Sequence, residues 1–214
     1  MIKRIVFDLD NTLINWEENY WHDAIIKTCF QLQIEYSVEM EEKIKDVIDS
    51  YEKNEQYFNV EIMQNLINKK LCVNYSTDFI KTILKFFEIC VPKEMDINLI
   101  DTLEYLYKKY ELVVLTNWFE NQQIERLKNA KIIKFFKHVY GTENIKMKPN
   151  KEAFLKAIGK LKPAECVMIG DNLKTDIDGA INVGMNAIFL NNKNVLVDKK
   201  YTVITNISEL MKIL

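Results

Sequence analysis

Histidine is nearly absent from this 214-residue sequence. Only His22 and His138 occur, too few and too scattered to suggest a metal site. The four cysteines, Cys29, Cys72, Cys90 and Cys166, show no CxxC spacing and no histidine at ligand distance. They read as reduced, mostly buried thiols, which points to a cytoplasmic location. No apolar run approaches the roughly 20 residues that a membrane span needs. The N-terminus starts directly on a strand-like stretch, without a signal-peptide core. An excess of one charge sign is missing too. With 29 basic against 31 acidic residues, the net charge of −2 gives no electrostatic case for nucleic acid or an anionic membrane as partner. Internal repeats, low-complexity tracts and disordered linkers are likewise lacking. What remains is ordinary globular composition, 48% apolar and 28% charged, in a length that supports one good core or two modest domains.

The most informative stretch comes first. Ile2, Ile5, Val6 and Phe7 form an apolar run suited to a buried parallel strand, and the run ends abruptly in Asp8 and Asp10. Ligands of α/β sheets bind at the carboxyl ends of strands. Two carboxylates delivered there raise each other's pKa and call for a cation or a shared proton. The simple reading is a Mg²⁺ site with one carboxylate free to attack; the bland one is an Asx-rich turn.

Beyond this stretch the texture becomes helical. Trp21, Ile25, Cys29 and Leu32 mark one helix face. Ser37 can cap a second helix carrying Met40, Ile44, Val47, Ile48 and Tyr51. Ile62, Met63, Leu66 and Ile67 mark a third helix; Ser76 or Thr77 opens a fourth with Ile80, Ile83, Leu84 and Phe87, and Pro92 closes the region. From Asp96 the pattern alternates. A helix carrying Leu99, Ile100, Leu103, Leu106 and Tyr107 precedes the strand Leu112 to Leu115. A helix around Ile124 and Leu127, a strand at His138 to Tyr140, a helix from Asn150 to Lys160 and the strand Cys166 to Ile169 follow. Then come a helix from about Lys174 to Val183, a stop at Gly184, a strand from Ala187 to Leu190, a strand at Val203-Ile204 and a closing helix from Ser208. The expected fold is α/β, a Rossmann-like doubly wound parallel sheet with an inserted all-helical cap. Residues 1–14 and 94–214 would form the core and residues 15–93 the cap.

Three of these strands end in polar groups of complementary kinds. The first ends in Asp8 and Asp10, the second in Thr116 and Asn117, and the fourth in Gly170-Asp171-Asn172 with Asp176 following. Lys148-Pro149 adds a point cation before a helix. Carboxylates for a metal, a nucleophile, a hydroxyl and an ammonium are what phosphoryl transfer requires. Each has a plainer counterpart. Thr116 could start a turn, Lys148 belongs to a solvated run with Lys146 and Lys151, Asp171 could be a loop residue, and Asp176 and Asp178 could complement a helix dipole.

In order and spacing these motifs resemble the haloacid dehalogenase superfamily, most closely its phosphatases with a helical cap after the first motif. Asp8-Leu9-Asp10-Asn11-Thr12 matches the family's DxDxT motif. Thr116 matches the second motif, Lys148 the third, and Gly170-Asp171-Asn172-Leu173-Lys174-Thr175-Asp176 the fourth, continuing into Gly179 to Met185. Asn11 stands where many relatives have glycine, a variant that turn geometry tolerates.

The resemblance implies that Asp8 is the nucleophile, forming an aspartyl-phosphate, and that Asp10 is the general acid and then the base. It further implies Mg²⁺ held by Asp8, the Asp10 backbone carbonyl and Asp171, with Asp176 and Asn172 behind them. Thr116, the Asn117 backbone and Lys148 would hold the phosphoryl group. Trp16, Tyr20 and Trp118 are candidates for substrate contact, while Trp21 sits on the apolar helix face and reads as core. The expected activity is hydrolysis of a small phosphorylated metabolite. A phosphomutase and a hydrolytic dehalogenase share the nucleophile, although dehalogenation needs no acid at position 10. A phospho-accepting signalling domain would place its acceptor near residue 55, where the pattern is helical.

Overall fold

The computed structural model describes residues 1–54, 57–143 and 145–214. Its centre is explained by period-two burial. In β1 (Arg4–Phe7), Ile5 and Phe7 join one apolar cluster while Val6 joins another. The same split divides Leu112 and Val114 from Val113 and Leu115 in β2 (Glu111–Leu115). In β4 (Cys166–Gly170) it divides Val167 and Ile169 from Cys166 and Met168. A strand covered on both faces needs apolar residues at every position, which is why these segments read as continuous runs.

With β3 (His138–Tyr140), β5 (Asn186–Leu190) and β6 (Thr202–Ile204) they form one parallel sheet in the order β3-β2-β1-β4-β5-β6. The expected doubly wound architecture is therefore what the chain adopts. Register aligns Phe7 with Val114 on one side and with Ile169 on the other, so the polar residues after these strands emerge side by side. The strand order reverses its direction of winding at β1, the place where α/β sheets open a crevice.

Residues 15–93 contain no strand among the described residues. They form α1 (Asn19–Leu32), α2 (Val38–Asn54), α3 (Val60–Leu71) and α4 (Asp78–Phe87). The Ser37 hydroxyl accepts from the Met40 N–H at 3.2 Å, and the Asn59 side chain accepts from the Glu61 and Ile62 N–H groups, so local capping sets these starts. The four helices share an apolar cluster that also takes in Phe119 and Met147 from beyond the insertion. The buried face of α1 runs through Tyr20, Ala24, Ile25, Thr28 and Cys29, so Ile25 and Cys29 of the expected stripe are buried and the face leans toward Tyr20 and away from Trp21. Trp21 is left at its edge.

The remaining helices are α5 (Ile97–Tyr107), α6 (Glu120–Asn129), α7 (Lys151–Ile158), α8 (Gly179–Asn182) and α9 (Leu210–Ile213). Tyr107, expected on the inner face of α5, is exposed at its end. The helix expected from Lys174 instead begins as a wide π-helical turn, Leu173–Asp178, and becomes α-helical only at Gly179. The Ile177 N–H reaches back five residues to the Asn172 carbonyl at 3.3 Å. That turn carries the Asp176 carboxylate in under Gly170, where an added Cβ would lie 2.4 Å from Asp176 Oδ2. Gly184, at φ +84°, ends the segment as expected. No helix among the described residues is long and apolar enough to cross a membrane.

Candidate active site

The turn after β1 is held by its own backbone. Asn11 takes φ +61°, a conformation that favours glycine but that asparagine accepts, and its N–H bonds the Ile14 carbonyl at 2.8 Å. Its side chain then accepts from the Trp16 N–H at 3.1 Å. Asparagine therefore replaces glycine here and adds a brace toward the first cap residues.

This turn places Asp8, 8% exposed, against a buried cation. Lys148 Nζ lies 2.6 Å from Asp8 Oδ1 and 2.7 Å from Asp176 Oδ1. Thr12 Oγ1 donates to Asp8 Oδ2 at 3.3 Å, and the Asn172 N–H donates to Asp176 Oδ2 at 3.1 Å. Asn117 clamps Lys148 through the backbone: its side chain donates to the Lys148 carbonyl at 3.0 Å and accepts from the Lys148 N–H at 2.8 Å. One ammonium thus faces two buried carboxylates.

The electrostatics follow from that imbalance. Burial pushes the Asp8 carboxyl up to about 7, with Asp176 and Asp10 adding to the rise and Lys148 opposing it. Burial works to lower the Lys148 pKa, but Asp176 and Asp8 outweigh it and keep the amine firmly protonated. Asp171 is raised as well, first by burial and then by Asp176. Lys193, from the segment after β5, stands 3.4 Å from Asp171 Oδ2.

Asp8, Asp171 and Asp176 each present a carboxylate oxygen, and the three oxygens lie within 4.8 Å of one another. An all-oxygen set of surplus negative charge suits a hard divalent cation, so the residues fit the metal that the sequence suggests. Asp176, expected behind the ligands, holds Lys148 and the Asn172 N–H with its two oxygens while standing beside the other two carboxylates.

These groups open into a cavity of about 400 Å³. Thr116, Asn117, Asn172 and Asp10 line it together with the aromatic residues Trp16, Trp21, Phe87 and Trp118 and with Asp49 and Glu52 of α2. The aromatic rings pack on one another, for instance Trp21 on Phe87 with centroids 4.4 Å apart. Two expectations exchange places here. Tyr20, expected at the substrate, is 6% exposed inside the helical bundle and absent from the lining, whereas Trp21, expected in the core, faces the cavity. The lean of the α1 buried face toward Tyr20 accounts for both.

Sequence reasoning missed two residues. Arg126 Nη1 pairs with Asp10 Oδ1 at 2.6 Å, and Gln123 Nε2 donates to Asp10 Oδ2 at 3.0 Å and to Thr116 Oγ1 at 3.1 Å. Their three-residue spacing places them on one face of α6. Only Leu127, four positions after Gln123 and buried with both residues, marks that face in the largely polar segment Glu120 to Asn129.

A sheet of this order, with an acidic cluster and a buried lysine at its crevice, is the architecture of a hydrolase family. The model of haloacid dehalogenase-like hydrolases matches residues 2–184, and the chain belongs to that family. Over the full length of both chains it is 26% identical to the glyceraldehyde 3-phosphate phosphatase of Methanothermobacter thermautotrophicus. A segment covering 46% of this chain and 41% of the Homo sapiens N-acylneuraminate-9-phosphatase is 36% identical. Among solved structures it resembles the HAD hydrolase YfnB of Bacillus subtilis bound to magnesium. That match has a TM-score of 0.74 at 19% identity, covers 99% of this chain and 98% of the other, and bears on the fold.

Proposed function

We propose that this hydrolase is a Mg²⁺-dependent phosphatase that cleaves a small-molecule phosphate monoester through an aspartyl-phosphate on Asp8. The observation that carries the reading is the pairing of a buried Asp8 with Lys148 beside a second acid, Asp10, that faces the same cavity.

Asp8 attacks phosphorus as the bond to the leaving oxygen breaks, and Asp10 supplies the proton with which the alcohol departs. Asp10 then takes a proton from water as the water attacks the phosphoryl group, which frees phosphate and restores Asp8. Lys148, Thr116 and the Asn117 N–H hold the phosphoryl oxygens in place. Asp8, Asp171 and Asp176, with the Asp10 carbonyl, would hold Mg²⁺, which supplies charge neutralisation at the phosphoryl oxygens. The aromatic wall contributed by the cap excludes water from the leaving group.

Asp10 also favours a phosphatase over a dehalogenase, since a departing halide needs no proton. The named activities of the relatives make sugar phosphates and short phosphorylated aldehydes and acids the first substrates to try. A phosphate-release screen of such monoesters with Mg²⁺ tests the reading. Release from some members, blocked by beryllium fluoride, supports it; halide release from haloacids without phosphate release overturns it.

A further inference from the structure

Arg126 is among the most deeply buried side chains in the molecule, 1% exposed, and the mechanism above leaves it without a task. Its Nη1 donates to Asp10 Oδ1 at 2.6 Å and to Gln123 Oε1 at 2.9 Å. Gln123 in turn donates to the other Asp10 oxygen at 3.0 Å. Both oxygens of one carboxylate are therefore gripped from a single helix, α6. The remaining contacts of Arg126 fall on the two passages of chain between the cap helices and the sheet. Nε donates to the Cys90 carbonyl at 3.1 Å, and the guanidinium carbon lies 5.3 Å from the centre of the Trp16 ring. Nη2 is buried and has no hydrogen-bond partner among the described residues.

Packing alone does not explain this residue. A buried guanidinium carries a desolvation cost that an apolar side chain of similar size avoids, so a charge is retained here for what it holds. What it holds is the second aspartate of the catalytic turn. Lysine, a point charge, could reach the carboxylate but could not grip it, Gln123 and Cys90 together.

We propose that Arg126 is the positioning residue of Asp10. With Gln123 it sets which way that carboxylate faces, and it ties the orientation to both chain passages beneath the cap. This role rests on the phosphatase reading.

The test is single-turnover phosphorylation of Asp8 by p-nitrophenyl phosphate and by a sugar phosphate. An alkoxide leaves poorly without a proton; a nitrophenolate hardly needs one. Arg126→Met should slow the alkyl substrate at least about tenfold more than the aryl one, and Arg126→Lys should recover part of the difference. In an Asp10→Asn background, Arg126→Met should leave the alkyl-to-aryl ratio unchanged, because the residue through which it acts is gone. Equal slowing of both substrates, or a further change of ratio in the Asp10→Asn background, overturns the role. Should Arg126→Met fail to fold, Arg126→Gln, which removes the charge but keeps a polar side chain, is read in the same way. A wild-type enzyme that takes a phosphoryl group from neither compound overturns the phosphatase reading along with the role. A wild type that is active, with an unmoved ratio in the variants, overturns the role alone.

Discussion

Two buried carboxylates, one in the cap and one at the sheet, are driven in opposite directions. Glu41 of α2 accepts from Lys45 at 2.6 Å, from Tyr36 at 2.7 Å and from His22 at 2.8 Å. Burial raises its pKa, but these donors win and hold it down at about 2. Asp8 is as little exposed to solvent but lies deeper, so burial is the largest cause of its rise; its one cation is shared with Asp176, and its carboxyl stands at about 7. A structural acid is saturated with donors, whereas the candidate nucleophile is left short of them. Under the proposed function a metal and a phosphoryl group fill that shortfall.

The sharpest way to break this contrast is to strip divalent metal from the enzyme. EDTA should abolish turnover of an aryl phosphate and Mg²⁺ should restore it, with Ca²⁺ a poor substitute because its looser shell misplaces the nucleophile. Full activity after verified metal removal would end the assignment. Next in size is Asp8→Asn, expected to lower kcat by at least about 10³-fold. It relieves crowding among carboxylates, so the thermal midpoint of the metal-free protein should not fall. A mutant that keeps near-normal turnover would mean that another group attacks.

Lys148→Met reverses the logic by leaving Asp8 and Asp176 both unpaired. Breaking a buried pair costs about 3–5 kcal/mol, and the loss should appear in urea unfolding together with lost activity. If stability holds in the metal-free protein, the two carboxylates are not the strained pair described.

The smallest effects are in pH. Glu41 has a depressed pKa, so the stability it adds is present above about 4.5 and lost as pH falls toward 2. Asp8 has a raised one, so its contribution is present below 3.8 and is lost as pH rises through about 7. Compared with Asp8→Asn, the metal-free wild type should therefore weaken progressively between pH 4 and 7. Glu41→Gln should cost on the order of 2 kcal/mol near neutrality, with kcat unchanged and the deficit shrinking in acid. A wild-type-minus-Asp8→Asn difference that stays flat with pH would contradict the buried-carboxylate picture.

Much of this was legible before any coordinates. Apolar runs that end in Asp8, Thr116 and Asp171 declare parallel strands with a polar crevice, because chemistry at a strand end leaves an abrupt change of residue type. The helical insertion was legible through its periodicity. The facing of α1 was not. Tyr20 and Trp21 are about 100° apart on a helix, both are aromatic, and only packing against α4 decides which one turns inward. The π-helical turn at Leu173 was hidden for a related reason, since the pull of Lys148 on Asp176 is a contact across 28 positions. Arg126 and Gln123 share the buried face of Leu127, but that face carries one apolar residue among polar ones, too few for a hydropathy pattern to show that the polar pair is buried.

The aromatic wall has a practical consequence. The chain has three tryptophans, Trp16, Trp21 and Trp118, and all three line the one cavity. Its native fluorescence is therefore a built-in optical probe of that cavity, free of background from other indoles. Ligand entry or a shift of the cap would alter emission in the unlabelled wild-type enzyme. Individual Trp→Phe replacements would then divide the signal between the first cap passage, α1 and the turn after β2.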